Sequence, residues 1–218
     1  VVWSSGSITG GGELVNNHVM QLLTSSSKSL IGETQLTNAG TLTLSENGDL
    51  FLTNGRLVKQ TTGTIIQNSG SDITYSGSGL REFNNLGLLR KISEGSASIL
   101  SFTNNSGVIE VSQGTLSMAS ALSLNNQPGG VLTGIGTLAL PVAANFTNQG
   151  TVSPGGSPGT LTLTGQFESE PSSALSIELN GLVPGTGHDL LTVSQNAVLN
   201  GQVEVILGFF PSIDDSFT

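Results

Sequence analysis

Apolar and polar residues alternate with a period of two through much of this chain. Clear examples are the pairs Leu42 and Leu44, Leu116 and Met118, Leu138 and Leu140, and Leu161 and Leu163. Such alternation is typical of short strands with one buried face. No stretch repeats apolar residues with the i, i+3, i+4, i+7 spacing of an amphipathic helix. The pattern therefore predicts an all-β chain of short strands separated by turns.

A short motif, N-x-G, recurs along the chain. It occurs at 38–40, 68–70, 85–87, 105–107 and 148–150, and an expanded form, N-Q-P-G-G, occupies 126–130. The Asn numbers 38, 68, 85, 105, 126 and 148 differ by 30, 17, 20, 21 and 22, so most steps lie near 20. A fixed period in this range is the signature of a repeat architecture. A β-sandwich, in contrast, is not expected to repeat the same turn residues at a fixed interval along the chain.

We therefore predict a single-stranded parallel β-helix, or β-solenoid, with about 20–22 residues per coil. In such a fold, equivalent residues of successive coils stack about 4.8 Å apart. We expect the Asn side chains to form a hydrogen-bonded ladder at a corner, and the Gly residues to supply a positive φ where a Cβ would clash. The predicted turn and ladder residues are Asn38, Gly40, Asn68, Gly70, Asn85, Gly87, Asn105, Gly107, Asn126, Gly130, Asn148 and Gly150.

An apolar residue precedes the Asn in most of these motifs. If the motifs stack, these apolar side chains form an inward-facing column in the core of the solenoid. The predicted inward stack consists of Leu36, Phe83, Phe102, Leu124 and Phe146.

The last part of the chain has longer alternating strands and longer loops. We therefore divide the chain into solenoid coils at 1–165 and a C-terminal β-helix segment at 166–218, continuous with them. Three segments carry a family resemblance: G-T-V-S-P-G-G-S-P-G-T-L-T-L-T-G at 150–165, P-G-T-G-H-D-L-L-T-V at 184–193 and G-F-F-P-S-I-D-D-S-F-T at 208–218. Together they resemble the passenger-stalk β-helix of bacterial autotransporters and related large surface adhesins.

This resemblance implies a right-handed β-helix that is secreted or displayed on a bacterial surface. It further implies use as a stalk, an adhesin or a matrix component. The repeats, the scarcity of catalytic groups and the low charge then lead us to predict a non-enzymatic structural module or fibre subunit. The unpaired strand edges at the ends of a solenoid lead us to expect self-association, end to end or side by side. A host or surface glycan or protein is the other expected partner.

The amino-acid composition excludes several classes of partner and of chemistry. Charged residues make up 10% of the chain and the formal net charge is -9, which disfavours nucleic acid and anionic membranes as partners. Cys is absent, which excludes disulfides and thiol chemistry. No apolar run approaches the roughly 20 residues of a membrane helix. The chain begins at Val1, from which we expect a removed leader or a piece of a longer protein.

Few residues could carry catalysis. His18 and His188 are the only histidines and lie far apart, and we expect His188 to be solvated in a Gly-rich loop. The acidic pairs Glu168 with Glu170 and Asp214 with Asp215 are expected to face solvent, and Asp189 to bond within its own loop. We predict no catalytic, cofactor-binding or metal site. A polysaccharide lyase or hydrolase built on a β-helix remains the alternative, since such enzymes use paired acids.

A second alternative is an ice-binding solenoid. The segments T-L-T-L at 41–44 and T-L-T-L-T at 160–164 place Thr on outer strand faces. The corresponding positions elsewhere read Thr115 with Ser117 and Thr137 with Ala139, so the array is broken. The ordinary β-propensity of Thr also explains these positions.

Overall fold

A computed structural model describes residues 1–68, 70–78 and 81–217 of this chain, so that Ser69, Gly79, Leu80 and Thr218 lie outside it. The described residues form short strands and one 3-10 helix, η1, at Ala143–Asn145. The strands are β1 Val2–Trp3, β2 Gly6–Ile8, β3 Glu13–Asn16, β4 Val19–Leu22, β5 Lys28–Ile31, β6 Gln35–Asn38, β7 Thr41–Leu44, β8 Leu50–Thr53, β9 Arg56–Lys59, β10 Thr64–Gln67, β11 Ile73–Ser76, β12 Glu82–Asn85, β13 Leu88–Lys91 and β14 Ser96–Ser98. They continue with β15 Phe102–Asn105, β16 Val108–Val111, β17 Thr115–Ser117, β18 Ser123–Asn126, β19 Val131–Gly134, β20 Thr137–Ala139, β21 Phe146–Asn148, β22 Thr151–Pro154, β23 Thr160–Thr164, β24 Phe167–Ser169, β25 Ala174–Leu179, β26 Leu190–Val193, β27 Ala197–Leu199 and β28 Gln202–Leu207.

Every third strand belongs to the same face of the molecule. Sheet A contains ten strands in the order β1-β4-β7-β10-β13-β16-β19-β22-β25-β28 and runs the whole length of the described chain. The second face is divided between sheet B (β2, β5, β8, β11) and sheet D (β14, β17, β20, β23, β26). The third face consists of sheet C (β3, β6, β9, β12, β15, β18, β21) and the two-stranded sheet E (β24, β27). Each coil therefore contributes one strand to each of three faces.

All the strand pairs are parallel and join neighbouring coils. Ile65 of β10, for example, pairs with Leu42 in the preceding coil and with Leu89 in the following coil. This arrangement confirms the prediction of an all-β solenoid, with roughly 22 residues per turn.

The core is a narrow apolar column inside the three faces. It forms because alternate residues of every strand point inward, and the inward positions of stacked coils coincide. Leu36, Phe83 and Leu124 of the predicted inward stack are fully buried, and Phe146 is nearly so. The ring of Phe146 continues the column into the next coil, since its centroid lies 6.0 Å from that of Phe167.

Phe102 does not belong to this column, contrary to the prediction. Its side chain is 44% exposed on the outer face of sheet C, and Thr103 takes the inward position, paired with Phe83 and Leu124. The physical reason is the strand period: an inward residue lies two positions before the buried Asn, whereas Phe102 lies three positions before Asn105.

Sheets A and D continue across residue 165, whereas the third face passes from sheet C to sheet E. Strand β25 pairs with β22 on one side and with β28 on the other, so sheet A crosses the proposed division of the chain. Both β25 and β28 have six residues, longer than the strands before them. Beyond β28 no further described strand covers the sheet, and the inward positions Val203, Val205 and Leu207 remain exposed.

Candidate functional site

A column of buried Asn side chains runs along the inner edge of sheet C. Register pairing stacks six Asn residues in one column, in which Lys59 lies between Asn38 and Asn85. The six are Asn16, Asn38, Asn85, Asn105, Asn126 and Asn148. The amide nitrogens of Asn16, Asn85, Asn105 and Asn126 each donate to the amide oxygen of the Asn in the next coil. The distances are 2.6 Å from Asn85 to Asn105, 2.7 Å from Asn105 to Asn126 and 2.7 Å from Asn126 to Asn148.

The same amides also hold the backbone of the next coil. Asn85 Nδ2 donates a second hydrogen bond to the carbonyl oxygen of Val108 at 3.0 Å, and Asn38 Nδ2 donates to that of Thr64 at 3.0 Å. A buried amide needs such partners, because an unpaired buried polar group costs about 1–3 kcal/mol. The column is therefore a structural element that ties consecutive coils together.

Two residues differ from the predicted membership of this column. Asn68 and Gly70 lie at another corner, after strand β10 of sheet A, where Asn68 Nδ2 donates to the Leu44 carbonyl oxygen at 3.2 Å. Ser69 between them lies outside the described residues. Conversely, Asn16 belongs to the column but was not predicted, because no Gly stands two residues after it. The N-x-G pattern requires that Gly and therefore does not include Asn16.

The Gly residues of the motif form a second column at positions where a Cβ would clash, as predicted, but the prediction of a positive φ there is wrong. Gly40, Gly87, Gly107, Gly130 and Gly150 do not have a positive φ, and of the predicted Gly residues only Gly70 does. A Cβ would instead collide with the coil below, as at Gly107, where it would meet the backbone of Gly87. Close approach of two backbones, rather than a left-handed turn, selects Gly here.

Lys59 interrupts the Asn column. It pairs in register with Asn38 before it and with Asn85 after it, and its side chain is fully buried. Its Nζ donates to the carbonyl oxygen of Gln60 at 3.2 Å and lies against Gly87. In the described part of the chain, Asn85 Oδ1 consequently has no donor, whereas Asn38, Asn105, Asn126 and Asn148 each accept from the coil below.

All three lysines of the chain are buried at corners of the solenoid. Lys28 Nζ donates to the carbonyl oxygens of Thr24 at 2.6 Å and Ser26 at 2.7 Å, and Lys91 Nζ donates to Ser93. Desolvation by burial lowers the pKa of Lys28 and of Lys91, and it lowers the pKa of Lys59 to about 8. The lysines therefore bind the carbonyls of their own corners and are not available as a surface charge.

The acidic pairs considered as catalytic groups lie at or near the surface. Glu168 and Glu170 are both exposed, as predicted for residues on one face of a strand. Asp215 accepts a hydrogen bond from the backbone nitrogen of Ser212 at 2.6 Å, which closes a turn beside Asp214. In the described residues, no group of three or more His, Asp or Glu side chains could hold a metal ion.

His188 and Asp189 have more structure around them than the sequence suggested. His188 is only 2% exposed, contrary to the expectation of a solvated loop, and its ring packs edge-on against Phe217 at 5.3 Å. Asp189 does not bond within its own loop, since its carboxylate accepts from the backbone nitrogens of Gly159 and Glu178, each at 2.9 Å. Both residues thus hold the loop at 180–189, between β25 and β26, against the rest of the structure.

A second row of amides lies on the outer face of sheet C. Asn104 Nδ2 donates to Asn84 Oδ1 at 2.9 Å, and Asn125 Nδ2 donates to Asn104 Oδ1 at 3.0 Å. Beside this row, Arg56 forms an ion pair with Glu82 at 2.7 Å. Sequence reasoning missed this row because it considered Asn only as a corner residue, although N-N at 84–85, 104–105 and 125–126 repeats with the coils.

These side chains line a shallow depression of about 350 Å³, which we name the amide groove. We define it by Arg56, Val58, Asn84, Leu86, Asn104 and Gln127. The groove crosses three columns of outward positions. Arg56 lies in the first, and Val58, Asn84 and Asn104 lie in the second. Leu86 and Gln127 belong to the third, since each directly follows an Asn of the inner column at the corner. Polar amides and an ion pair therefore alternate with aliphatic side chains along one face of the rod.

None of the described helices has the length and apolar character needed to cross a membrane. Comparisons of this chain with protein-family models, curated proteins and solved structures find no match.

Proposed function

We propose that this chain is a non-enzymatic structural module of a secreted or cell-surface bacterial protein, acting as a stalk, an adhesin or a fibre subunit. The observation that carries the proposal is the unbroken stacking of coils in sheet A. Sheet A extends through ten strands around an apolar core, and the Asn and Gly columns accompany it from Asn16 to Gly150, with Lys59 interrupting the Asn column. A rod held together by repeated nearest-neighbour contacts keeps two ends at a fixed distance and offers extended faces to partners.

The placement of polar groups supports the same proposal. The buried Asn, Lys and Asp side chains bond to backbone and to one another, so they hold the rod together rather than project into a cleft. Glu168 and Glu170 are exposed, and within the described residues no hydrogen bond or ion pair joins their carboxylates to another side chain. Association of chains end to end forms part of the proposal, because β1 and β28 each pair with another described strand on one side only.

Surface display tests this function. Bacteria displaying the chain should attach to host-cell or matrix-coated surfaces more than bacteria displaying a globular domain of similar size. Deletion of residues 88–107 removes one coil and joins Gly87 to Val108, which replaces Leu88 at the same register. This variant should still fold, and attachment should change with rod length. The double variant Glu168→Gln, Glu170→Gln is the matched control and should attach like the original.

An assay of polysaccharide depolymerisation can contradict the structural proposal. If the purified chain depolymerises a neutral or acidic polysaccharide and Glu168→Gln abolishes that turnover, the module is a carbohydrate-active enzyme and the structural proposal fails. Attachment no greater than that of the globular control would also contradict it.

One observation favours ice binding as a second candidate function. On the outer face of sheet D, register pairing aligns Ser96, Thr115, Thr137, Thr162 and Thr192 in a single column. The earlier T-L-T-L segment lies in strand β7 of sheet A and does not extend this column. Thermal hysteresis that Thr137→Lys abolishes would establish this function, and its absence in the original chain would exclude it.

A further inference from the structure

We propose that the amide groove binds a neutral oligosaccharide. This inference deepens the proposed adhesive role and rests on it, since it names the class of ligand that one face of the rod would hold. Its basis is the combination of unused hydrogen-bonding groups, a neutralised charge and exposed apolar side chains on the outer face of sheet C.

The outer amide row leaves one hydrogen-bonding group unused in the groove, at Asn84, and one beside the groove in the following coil, at Asn125. Asn84 accepts from Asn104 through its oxygen, and no group in the described part of the chain accepts from its Nδ2. Asn125 likewise donates to Asn104 but receives no hydrogen bond at Oδ1 within the described residues. One donor, at Asn84, and one acceptor, at Asn125, therefore lie two coils apart on one face, where hydroxyl groups of a sugar chain can pair with both.

The only cation of the groove, Arg56, is already paired with a carboxylate, so the groove does not favour an ionic ligand. The carboxylate of Glu82 pairs with Arg56 at 2.7 Å and also accepts from Asn104 at 3.3 Å, so the cation of the groove is already neutralised. An anionic polymer would have to compete with Glu82 for that cation. A ligand rich in hydroxyl groups satisfies the free amides without breaking the ion pair.

Apolar side chains provide the surface on which a sugar ring can pack. Leu86 is 40% exposed beside Asn84, and Val58 lies in the preceding coil within the same outward column as Asn84. Phe102 is exposed two residues before Asn104 on the same face of the strand. An aromatic ring beside planar amides matches the amphipathic faces of a pyranose, since rings bury apolar area at low entropic cost.

The repeat of the groove also suits a linear glycan. Adjacent coils are about 4.8 Å apart, which is close to the length of one sugar ring. A chain lying along the solenoid axis would therefore pass the outer amides of successive coils in step, namely Asn84, Asn104 and Asn125, of which the first and the last carry the unused groups.

Isothermal titration calorimetry on the full chain tests the inference with four soluble probes. Cellotetraose, laminaritetraose and chitotetraose are the neutral probes, and tetragalacturonate is the charged one. We expect at least one neutral probe to bind. Asn84→Asp keeps an oxygen that can accept from Asn104 but removes the amide donor, and Leu86→Ala removes the apolar contact. Each should weaken binding about tenfold, in line with the loss of one hydrogen bond or one apolar contact.

Two matched controls lie outside the groove. Asn17→Asp makes the same change at an exposed position of the first coil, and Val19→Ala shortens an exposed aliphatic side chain on sheet A. Both should bind like the original chain. Circular dichroism establishes that every variant keeps its β-structure.

Three outcomes would overturn the inference: no neutral probe binds, only tetragalacturonate binds, or binding survives both groove substitutions unchanged. None of these outcomes affects the proposal of a structural module, because that proposal is tested by attachment of displaying cells and by turnover. Conversely, turnover of a polysaccharide at Glu168 would contradict the structural module and leave the calorimetric result at the amide groove to be judged separately.

Discussion

Asn105 illustrates how this chain places polar groups in its interior. Its amide accepts from Asn85 and donates to Asn126, and it also donates to the carbonyl oxygen of Val131 at 3.4 Å. Such a group is stable when buried because its hydrogen-bonding capacity is satisfied on both sides. The last residue of the column, Asn148, accepts from Asn126, but its Nδ2 has no partner in the described residues.

This difference predicts unequal costs of removing the two amides. Asn105→Ala should lower the free energy of unfolding by about 2 kcal/mol, because it leaves buried groups of two neighbouring coils without partners. Asn148→Ala should cost less, since only one neighbouring amide loses a partner. Urea denaturation of both variants measures the difference. Equal costs, or no cost at Asn105, would mean that the inner column does not stabilise the coils.

Lys59 is the position at which substitution should improve the fold. Lys59→Asn supplies a donor for Asn85 Oδ1 and an acceptor for Asn38, so the column becomes continuous. We expect the free energy of unfolding to rise by about 1 kcal/mol. Lys59→Met, which removes the ammonium group without supplying an amide, is the control. If Lys59→Asn is no more stable than Lys59→Met, the amide column does not extend through this coil.

The buried ammonium of Lys59 also predicts a pH dependence. Its pKa is lowered to about 8 by burial, whereas that of an unfolded lysine is about 10.4. Between these values the unfolded chain binds more protons than the folded chain, so stability rises with pH, and the full cost of the buried charge is present below pH 8. The free energy of unfolding of the original chain, relative to Lys59→Met, should therefore increase between a pH of about 7 and about 10. A constant difference would mean that the pKa of Lys59 is not lowered.

At the scale of the element, strand and corner are constrained in different ways. A strand is defined by its alternation and accepts many residues, whereas the corner after sheet C brings two backbones close together. At this corner Gly107 receives a hydrogen bond from Val131 and lies directly over Gly87. The corner therefore selects Gly by contact with the preceding coil.

Gly107→Ala should consequently destabilise the protein by about 2 kcal/mol or more, because the new Cβ must displace the backbone of Gly87. Gly12→Ala is the matched control: a Cβ there meets nothing within 4 Å and the residue has no positive φ, so the change should be neutral or slightly stabilising. Thermal unfolding monitored by circular dichroism measures both variants. Similar effects of the two substitutions would contradict the close packing of the corners.

The alternation and the N-x-G period suffice to predict the strands, the solenoid and most of the inner Asn column. They do not suffice at Phe102, because F-T-N-N contains two Asn residues and the inward register depends on which of them is buried. They also fail at Lys59, since a lysine ordinarily indicates an exposed position and its burial depends on carbonyls that only the folded corner brings together. The amide groove is a third case, because it requires the register of three coils.

At the scale of the whole molecule, the stacking of coils relates the composition to the architecture. Gly and Asn recur at corners, Ser and Thr cover outer strand positions, and every lysine is buried at a corner. A rod of this kind gains stability mainly from nearest-neighbour interfaces. Its length can then change by whole coils without altering the local structure.

Register between neighbouring coils is the property on which all of these inferences depend. Because the chain has no Cys, two introduced cysteines can report it directly. Thr43 and Ile66 are Cα partners on the outer face of sheet A, while Arg90 is the partner of Ile66 one coil further on. Adjacent coils bring Cα atoms within the range that a disulfide spans, and coils two steps apart do not.

Disulfide trapping, followed by mass spectrometry, is therefore the most direct measurement. The double variant Thr43→Cys, Ile66→Cys should oxidise to an intramolecular disulfide in the native state, and Thr43→Cys, Arg90→Cys should remain reduced under the same conditions. Failure of the first pair to form a disulfide, or equal oxidation of both pairs, would contradict the in-register solenoid.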